Sequence, residues 1–245
     1  LEISFTSWIF AFAASFVLGV SKAGIKGIAI VTVTLMALAF GARESTGLIV
    51  PMLIAGDVFA VLYYNRHARW QYILKFAPWM VAGILIGVFL GKDLPEARFK
   101  FWMVTIILIS VLVMYWWDLR KSKLVPRHWA FAGFMGITAG IATMLGNLAG
   151  AFSNIYFLAM RLPKKEFIGT AAWLFFITNM VKLPFHFFVW ETVRPETLLI
   201  NLKLLPALFL GLFTGVRLVK VIREKFYRKL ILILTGLGAI LILFR

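Results

Sequence analysis

The chain has 245 residues, 62% of them hydrophobic and only 15% charged, well above the apolar share of a soluble domain. It reads as a polytopic membrane protein. Its formal net charge of +16 falls mostly in short loops between apolar runs, as a topology signal does, so no nucleic-acid partner is expected; the absence of cysteine excludes disulfides, thiolate metal sites and cysteine nucleophiles.

Ten apolar segments follow one another: 3–20, 25–40, 47–64, 72–90, 101–117, 129–145, 148–160, 167–189, 198–219 and 230–244. Runs such as 102–117 and 230–244 are apolar all round, whereas barrel strands alternate. The fold class expected is therefore all-α, a transmembrane helical bundle of eight to ten membrane segments. The first, second, sixth and seventh segments are short and form two short-leg hairpins, each divided by a glycine-punctuated break. The first break runs Gly19-Val20-Ser21-Lys22-Ala23-Gly24-Ile25-Lys26-Gly27, and the second spans Gly140 to Gly150.

The breaks belong to an internal repeat. Gly24, Glu44 and Gly47 align with Gly146, Glu166 and Gly169 at an offset of about 122. Leu74-Lys75-Phe76-Ala77-Pro78, Gly83, Gly87 and Glu96 align with Leu202-Lys203-Leu204-Leu205-Pro206, Gly211, Gly215 and Glu224 at about 128. Two five-segment units are expected, 1–123 and 124–245. The loops 65–75, 118–128, 161–166 and 220–229 hold 15 Lys and Arg, against 5 in the opposite loops, which places the four basic loops in the cytoplasm. An odd number of segments per unit then makes the second half run opposite to the first. Inverted repeats with a midplane site built on interrupted helices are a recurring transporter architecture.

Backbone that leaves the helix at membrane depth needs protein or a watery cavity around it, and a helix starting after the break aims its positive dipole end at that place. Such a site suits an anion. Lys22, Lys26 and Lys182 lie outside the basic loops, where a lysine in hydrocarbon costs roughly 2.5–3.5 kcal/mol on insertion scales. Asn179, Lys182 and His186 share one helix face, and Asp57 occupies the position of Asn179 in the first half. Structural pairing of Asp57 with Lys22 or Lys182 is the plainer reading of these charges, and an interfacial position is the plainer one for Lys182 and His186. The ladder Gly83–Gly87–Gly91 and its copy at Gly211 and Gly215 read as helix-packing surfaces. Trp70, Trp116, Trp117, Trp129 and Trp190 read as interfacial anchors. His67, His128 and His186 are scattered, and no HExxH, GxSxG or Walker-type loop is present, so neither an enzyme nor a metal or other cofactor is expected.

The first break with its apolar leg, the Gly47 and Gly169-Thr170 segment starts, the basic loop Asn65-Arg66-His67-Ala68-Arg69-Trp70 and the doubled Leu-Lys-x-x-Pro-x4-Gly-x3-Gly pattern resemble the sulfite exporter TauE/SafE family, also called the toluene sulfonate uptake permease family. The resemblance covers nearly the whole chain. It departs from the family's usual Gly-x-Gly-Gly-Gly break and proline-bearing leg. The resemblance implies transport of sulfite, sulfonates or similar small anions without ATP, in the bacterial cytoplasmic membrane. Carried onto this chain, it makes Gly24, Gly27, Gly146 and Gly150 lining residues of the anion site.

The expected substrate-binding set is therefore Lys22, Gly24, Lys26, Gly27, Gly146, Asn147, Gly150, Asn179 and Lys182, with Asp57 and His186 as coupling candidates. The expected partners are the lipid bilayer and a small anion, with self-association left open. The expected activity is export by alternating access. Its rivals are a cation or amine carrier or channel using Asp57, and a membrane scaffold that moves nothing.

Overall fold

The computed structural model describes residues 3–25, 28–119, 129–222 and 226. Among them the regular structure is helical throughout, apart from turns: α1 (Phe5–Lys22), α2 (Ala29–Phe40), α3 (Ala42–Tyr64), α4 (Trp70–Gly91), α5 (Glu96–Leu119), α6 (Trp129–Gly146), α7 (Ala149–Ala159), α8 (Lys164–Phe188) and α9 (Pro195–Val221), with a single 3₁₀ turn at Asn65–His67. These correspond one to one with the first nine expected segments. The tenth, 230–244, lies outside the described residues. Six helices, namely α1, α3, α4, α6, α8 and α9, are long and apolar enough to cross a membrane.

Local chemistry sets the ends. Pro163 precedes α8 and Pro195 opens α9, both places where a missing N–H costs nothing. Glu96 accepts the backbone N–H of Ala42 at 2.6 Å and so caps α3 from another helix. The short legs α2 and α7 have 12 and 11 residues. At 1.5 Å per residue they reach about 16–18 Å, well short of a hydrocarbon core of about 30 Å. Neither leg is therefore long enough to cross such a core by itself.

Packing is dominated by three pairs: α1 along α9, α4 along α6, and α3 across α8. The first two are close-backbone crossings. A Cβ on Gly83 would overlap the backbone of Ile137, and one on Gly140 the backbone of Met80; likewise Gly19 meets the backbone of Leu208 and Gly211 that of Phe16. Small residues at such crossings let membrane helices gain van der Waals contact where no hydrophobic force drives association. Gly83→Leu or Gly211→Leu is accordingly expected to destabilise the detergent-solubilised protein by about 1–3 kcal/mol or more, read as a lowered thermal midpoint. An unchanged midpoint would contradict these crossings.

The charged residues sort to two ends. At one end Arg69 pairs with Glu166, the Arg69 N–H donates to Thr170 Oγ1 at 3.0 Å, and Lys164 Nζ donates to the carbonyls of Val219 and Ile222 at 2.9 and 2.7 Å. At the other, Arg43 donates to the carbonyls of Gly91, Lys92 and Leu94, and Arg194 pairs with Glu44 at 2.9 Å. Three of the four basic loops thus share an end in the described residues, as loop charge predicted. Trp70 and Trp129 are exposed, as interfacial anchors should be, but Trp190 is a correction: it is 5% exposed, its ring edge-on to Phe99 and His186, with its indole N–H donating to the Val88 carbonyl at 3.2 Å. It fills the interior space left by Gly91.

Candidate functional site

Two broken helices meet inside the bundle. In the first, α1 ends at Lys22, and Gly24 adopts φ +127°, a backbone conformation a side chain would strain. In the second, α6 ends on Asn147 at φ +56°, whose N–H returns to the Thr143 carbonyl at 2.9 Å, a left-handed cap for which asparagine is the usual substitute for glycine. The chain then re-enters helices α2 and α7. Neither has a side-chain cap, and their first residues, Ala29, Ala149 and Gly150, line a cavity of about 50 Å³. That is room for a few water molecules or an ion of similar bulk.

The rest of the lining is Leu18, Ser21 and Lys22 from α1, Leu53 from α3, Thr143 and Asn147 from the second break, Asn154 from α7, and Phe175 and Asn179 from α8. Two polar networks flank it. In one, Lys22 Nζ donates to Asp57 Oδ1 at 2.6 Å, Asn179 Nδ2 donates to Asp57 Oδ2 at 2.6 Å, and the Lys22 ammonium lies 5.5 Å from the Phe175 ring centre. In the other, Lys182 Nζ donates to Asn147 Oδ1 at 2.5 Å and to the hydroxyl and carbonyl of Thr143 at 3.1 and 3.3 Å. Asn147 Nδ2 in turn donates to the Thr46 carbonyl at 3.0 Å.

The charges differ between the networks. Asp57 neutralises Lys22, and Asp57 and Lys182 are both 0% exposed. Every hydrogen-bond partner of Lys182 is neutral, and one of them is a carbonyl at the C-terminal end of α6, where the helix dipole favours a cation. One turn beyond, His186 Nδ1 bonds Thr192 Oγ1 at 2.9 Å, while Nε2 is buried without a partner. Lys182 and His186 are thus interior residues, which removes the interfacial reading of both.

Of the expected site residues, the structure brings Lys22, Asn147, Gly150 and Asn179 to the cavity wall, with Lys182 and Asp57 directly behind it. Gly24 packs instead toward Ile168 and Val219, and Gly146 toward Met103 and Leu148. His186 lies off the cavity against Trp190. Lys26 and Gly27 lie outside the described residues. Sequence reasoning missed Thr143, Asn154 and Phe175, which carry no unusual charge or spacing within their apolar runs. No group of three or more His, Cys, Asp or Glu among the described residues could hold a metal.

A helical membrane bundle whose interrupted helices border a small cavity with polar groups on its wall, and a buried lysine beside it, has the build of a solute carrier. Residues 8–242, nearly the whole chain, match the sulfite exporter TauE/SafE family, and the protein belongs to that family. It is an integral membrane transport protein and not an enzyme. No curated protein and no solved structure matches the chain.

Proposed function

We propose that this protein is a secondary transporter that exports small sulfur-containing anions, sulfite or a small sulfonate, by alternating access at the cavity between two inverted five-segment repeats, 1–123 and 124–245. The observation that carries the reading is Lys182, a fully buried lysine that forms no ion pair among the described residues, adjoining a cavity onto which two uncapped helix N-termini open. Such a place attracts an anion. Asp57, the residue a cation carrier would use, has both oxygens engaged, one by Lys22 and the other by Asn179.

The repeat reading is supported by matching partners. α1 packs on α9 as α6 packs on α4, each through a glycine crossing, and Asp57 meets Asn179, the residue aligned with it in the other half. The basic loops are assigned to the cytoplasm. Outward movement of one negative charge down an inside-negative potential gains about 2.3 kcal/mol per 100 mV, so export needs no ATP and no coupling ion.

The test is sulfite efflux from proteoliposomes carrying the purified protein, with a potassium diffusion potential of either sign. Efflux is expected to exceed that of protein-free vesicles and to accelerate when the interior is negative. Efflux no faster than from empty vesicles, for sulfite and methanesulfonate alike, would remove the proposal.

A further inference from the structure

We infer that the loops 65–69, between α3 and α4, and 189–194, between α8 and α9, are the two gates of the transport path, an inference that rests on the alternating-access reading. Each loop is seated on the first turns of a helix from the opposite half. Each is held there by one solvent-accessible Arg–Glu pair.

A connecting loop normally runs over the surface, because its backbone polar groups need partners. The α8–α9 loop instead buries Trp190, Thr192 and Val193. Their backbone N–H groups return to α8: Trp190 donates to the Phe185 carbonyl at 2.8 Å, and Thr192 and Val193 donate to that of His186 at 2.9 and 3.2 Å. Thr192 fills the hollow at Gly47 of α3, where an added Cβ would stand 2.4 Å from the Thr192 Cβ. Thr46, beside that hollow, accepts from Asn147 on the cavity wall. The seat of this loop is thus contiguous with the cavity lining.

The α3–α4 loop repeats the arrangement at the end assigned to the cytoplasm. A Cβ on Gly169 of α8 would stand 2.7 Å from the Tyr64 carbonyl oxygen and 3.1 Å from the Ala68 nitrogen. The Tyr64 hydroxyl donates to the Ala23 carbonyl in the first break at 2.8 Å, and the Arg69 N–H to Thr170. Gly47 and Gly169 are aligned positions of the two halves, and each lies six residues before a cavity-lining residue, Leu53 or Phe175. At 1.5 Å per residue both seats are about 9 Å from the cavity along their helices, one toward each end of the bundle.

The latches correspond as well. Glu44 of α3 takes Arg194 of its loop at 2.9 Å, and Glu166 of α8, the aligned residue, takes Arg69. None of these four side chains is buried, so either pair can part without stranding a charge away from water. A close-fitting seat with a weak latch closes at rest and opens at small cost.

The chain contains no cysteine, so Ser21→Cys puts a single thiol on the cavity wall. Its rate of reaction with sulfonatoethyl methanethiosulfonate, a membrane-impermeant anion, is measured from the outer side in cells and from the cytoplasmic side in inverted vesicles. Gly47→Ala, which wedges Thr192 from its seat, is expected to raise the ratio of outer to cytoplasmic rate by about tenfold or more, and Gly169→Ala to lower it as far. Glu44→Ala and Glu166→Ala, which remove only the latches, are expected to move the ratio severalfold in the same two directions. A ratio that stays put in the latch variants, or moves the same way in both, would overturn the inference. These two substitutions alter accessible side chains, so they decide it even where an alanine at a glycine seat fails to fold. Labelling requires no flux and separates the two readings. Opposed shifts in a protein that moves no sulfite would overturn the transport reading, whereas sulfite efflux without opposed shifts would overturn the gates alone.

Discussion

Replacing Lys182 by methionine is expected to weaken sulfite binding by roughly 10- to 150-fold, while the thermal midpoint of the empty protein stays level or rises. The first number follows from the Coulomb attraction of two unit charges about 6–10 Å apart at an effective dielectric constant of about 20, about 1.7–2.8 kcal/mol, at about 1.4 kcal/mol per factor of ten. The second follows from where the lysine sits. Its ammonium is fully buried, bonded to Asn147 and Thr143 but to no carboxylate, so folding the empty protein bears a desolvation cost that methionine lacks. Methionine of similar length would fill the same volume. The Asn147 side chain keeps its Nδ2 bond to the Thr46 carbonyl. A lysine kept only to hold the second break in place gives the opposite pattern, a lowered midpoint with anion affinity lost only in proportion to unfolding. Calorimetric titration and a thermal melt on the same preparation distinguish the two.

Lys22 should behave differently, although in sequence it looks the more conspicuous cation. Its ammonium is bonded to Asp57, whose other oxygen takes the Asn179 amide, and both charges are buried. Breaking a buried pair by removing one partner costs about 3–5 kcal/mol, because the survivor is left charged away from water. Lys22→Met alone and Asp57→Asn alone are therefore both expected to destabilise by that order. The double variant is expected to recover most of the loss, since neutralising both partners removes the stranded charge. A double variant as unstable as the sum of the singles would show that the two side chains act independently, contrary to the 2.6 Å contact. The contrast with the surface is sharp. Arg69 and Glu166 pair where the arginine is half exposed, and removing Arg69 is expected to shift stability by less than about 1 kcal/mol.

These two experiments bear on different parts of the transport reading. Lys182 tests whether an anion meets the bare charge beside the cavity. The Lys22–Asp57 pair tests what holds the first break against α3 while the anion comes and goes. Substitutions on the exposed apolar faces, such as Phe89 on α4 or Leu202 on α9, touch neither network and should leave binding intact.

Much of the architecture is set by sequence alone, because hydropathy acts locally. Segment order and number, the two short legs and the two breaks follow from where apolar runs stop at Gly, Lys and Asn. Nine of ten expected segments have a helix at their place, and the boundaries differ mainly where a partner from elsewhere extends a helix, as the Glu96 carboxylate does at the start of α3. Loop charge likewise sorted the ends, since each loop carries its own topology signal. What the sequence left open was pairing. It allowed Asp57 to bond Lys22 or Lys182, and it put Lys182, His186 and Trp190 near a membrane interface from their position late in a segment. The choice depends on contacts between residues 35 to 122 positions apart, which no local pattern encodes. Folding brings α1, α3 and α8 together so that Asp57 meets Lys22 and Asn179, leaving Lys182 to the neutral groups of the second break. Asn154 is an unremarkable residue in an apolar run until α7 brings it to the cavity wall. Depth along a helix was legible in the sequence; which buried charge stays unneutralised was decided by tertiary packing.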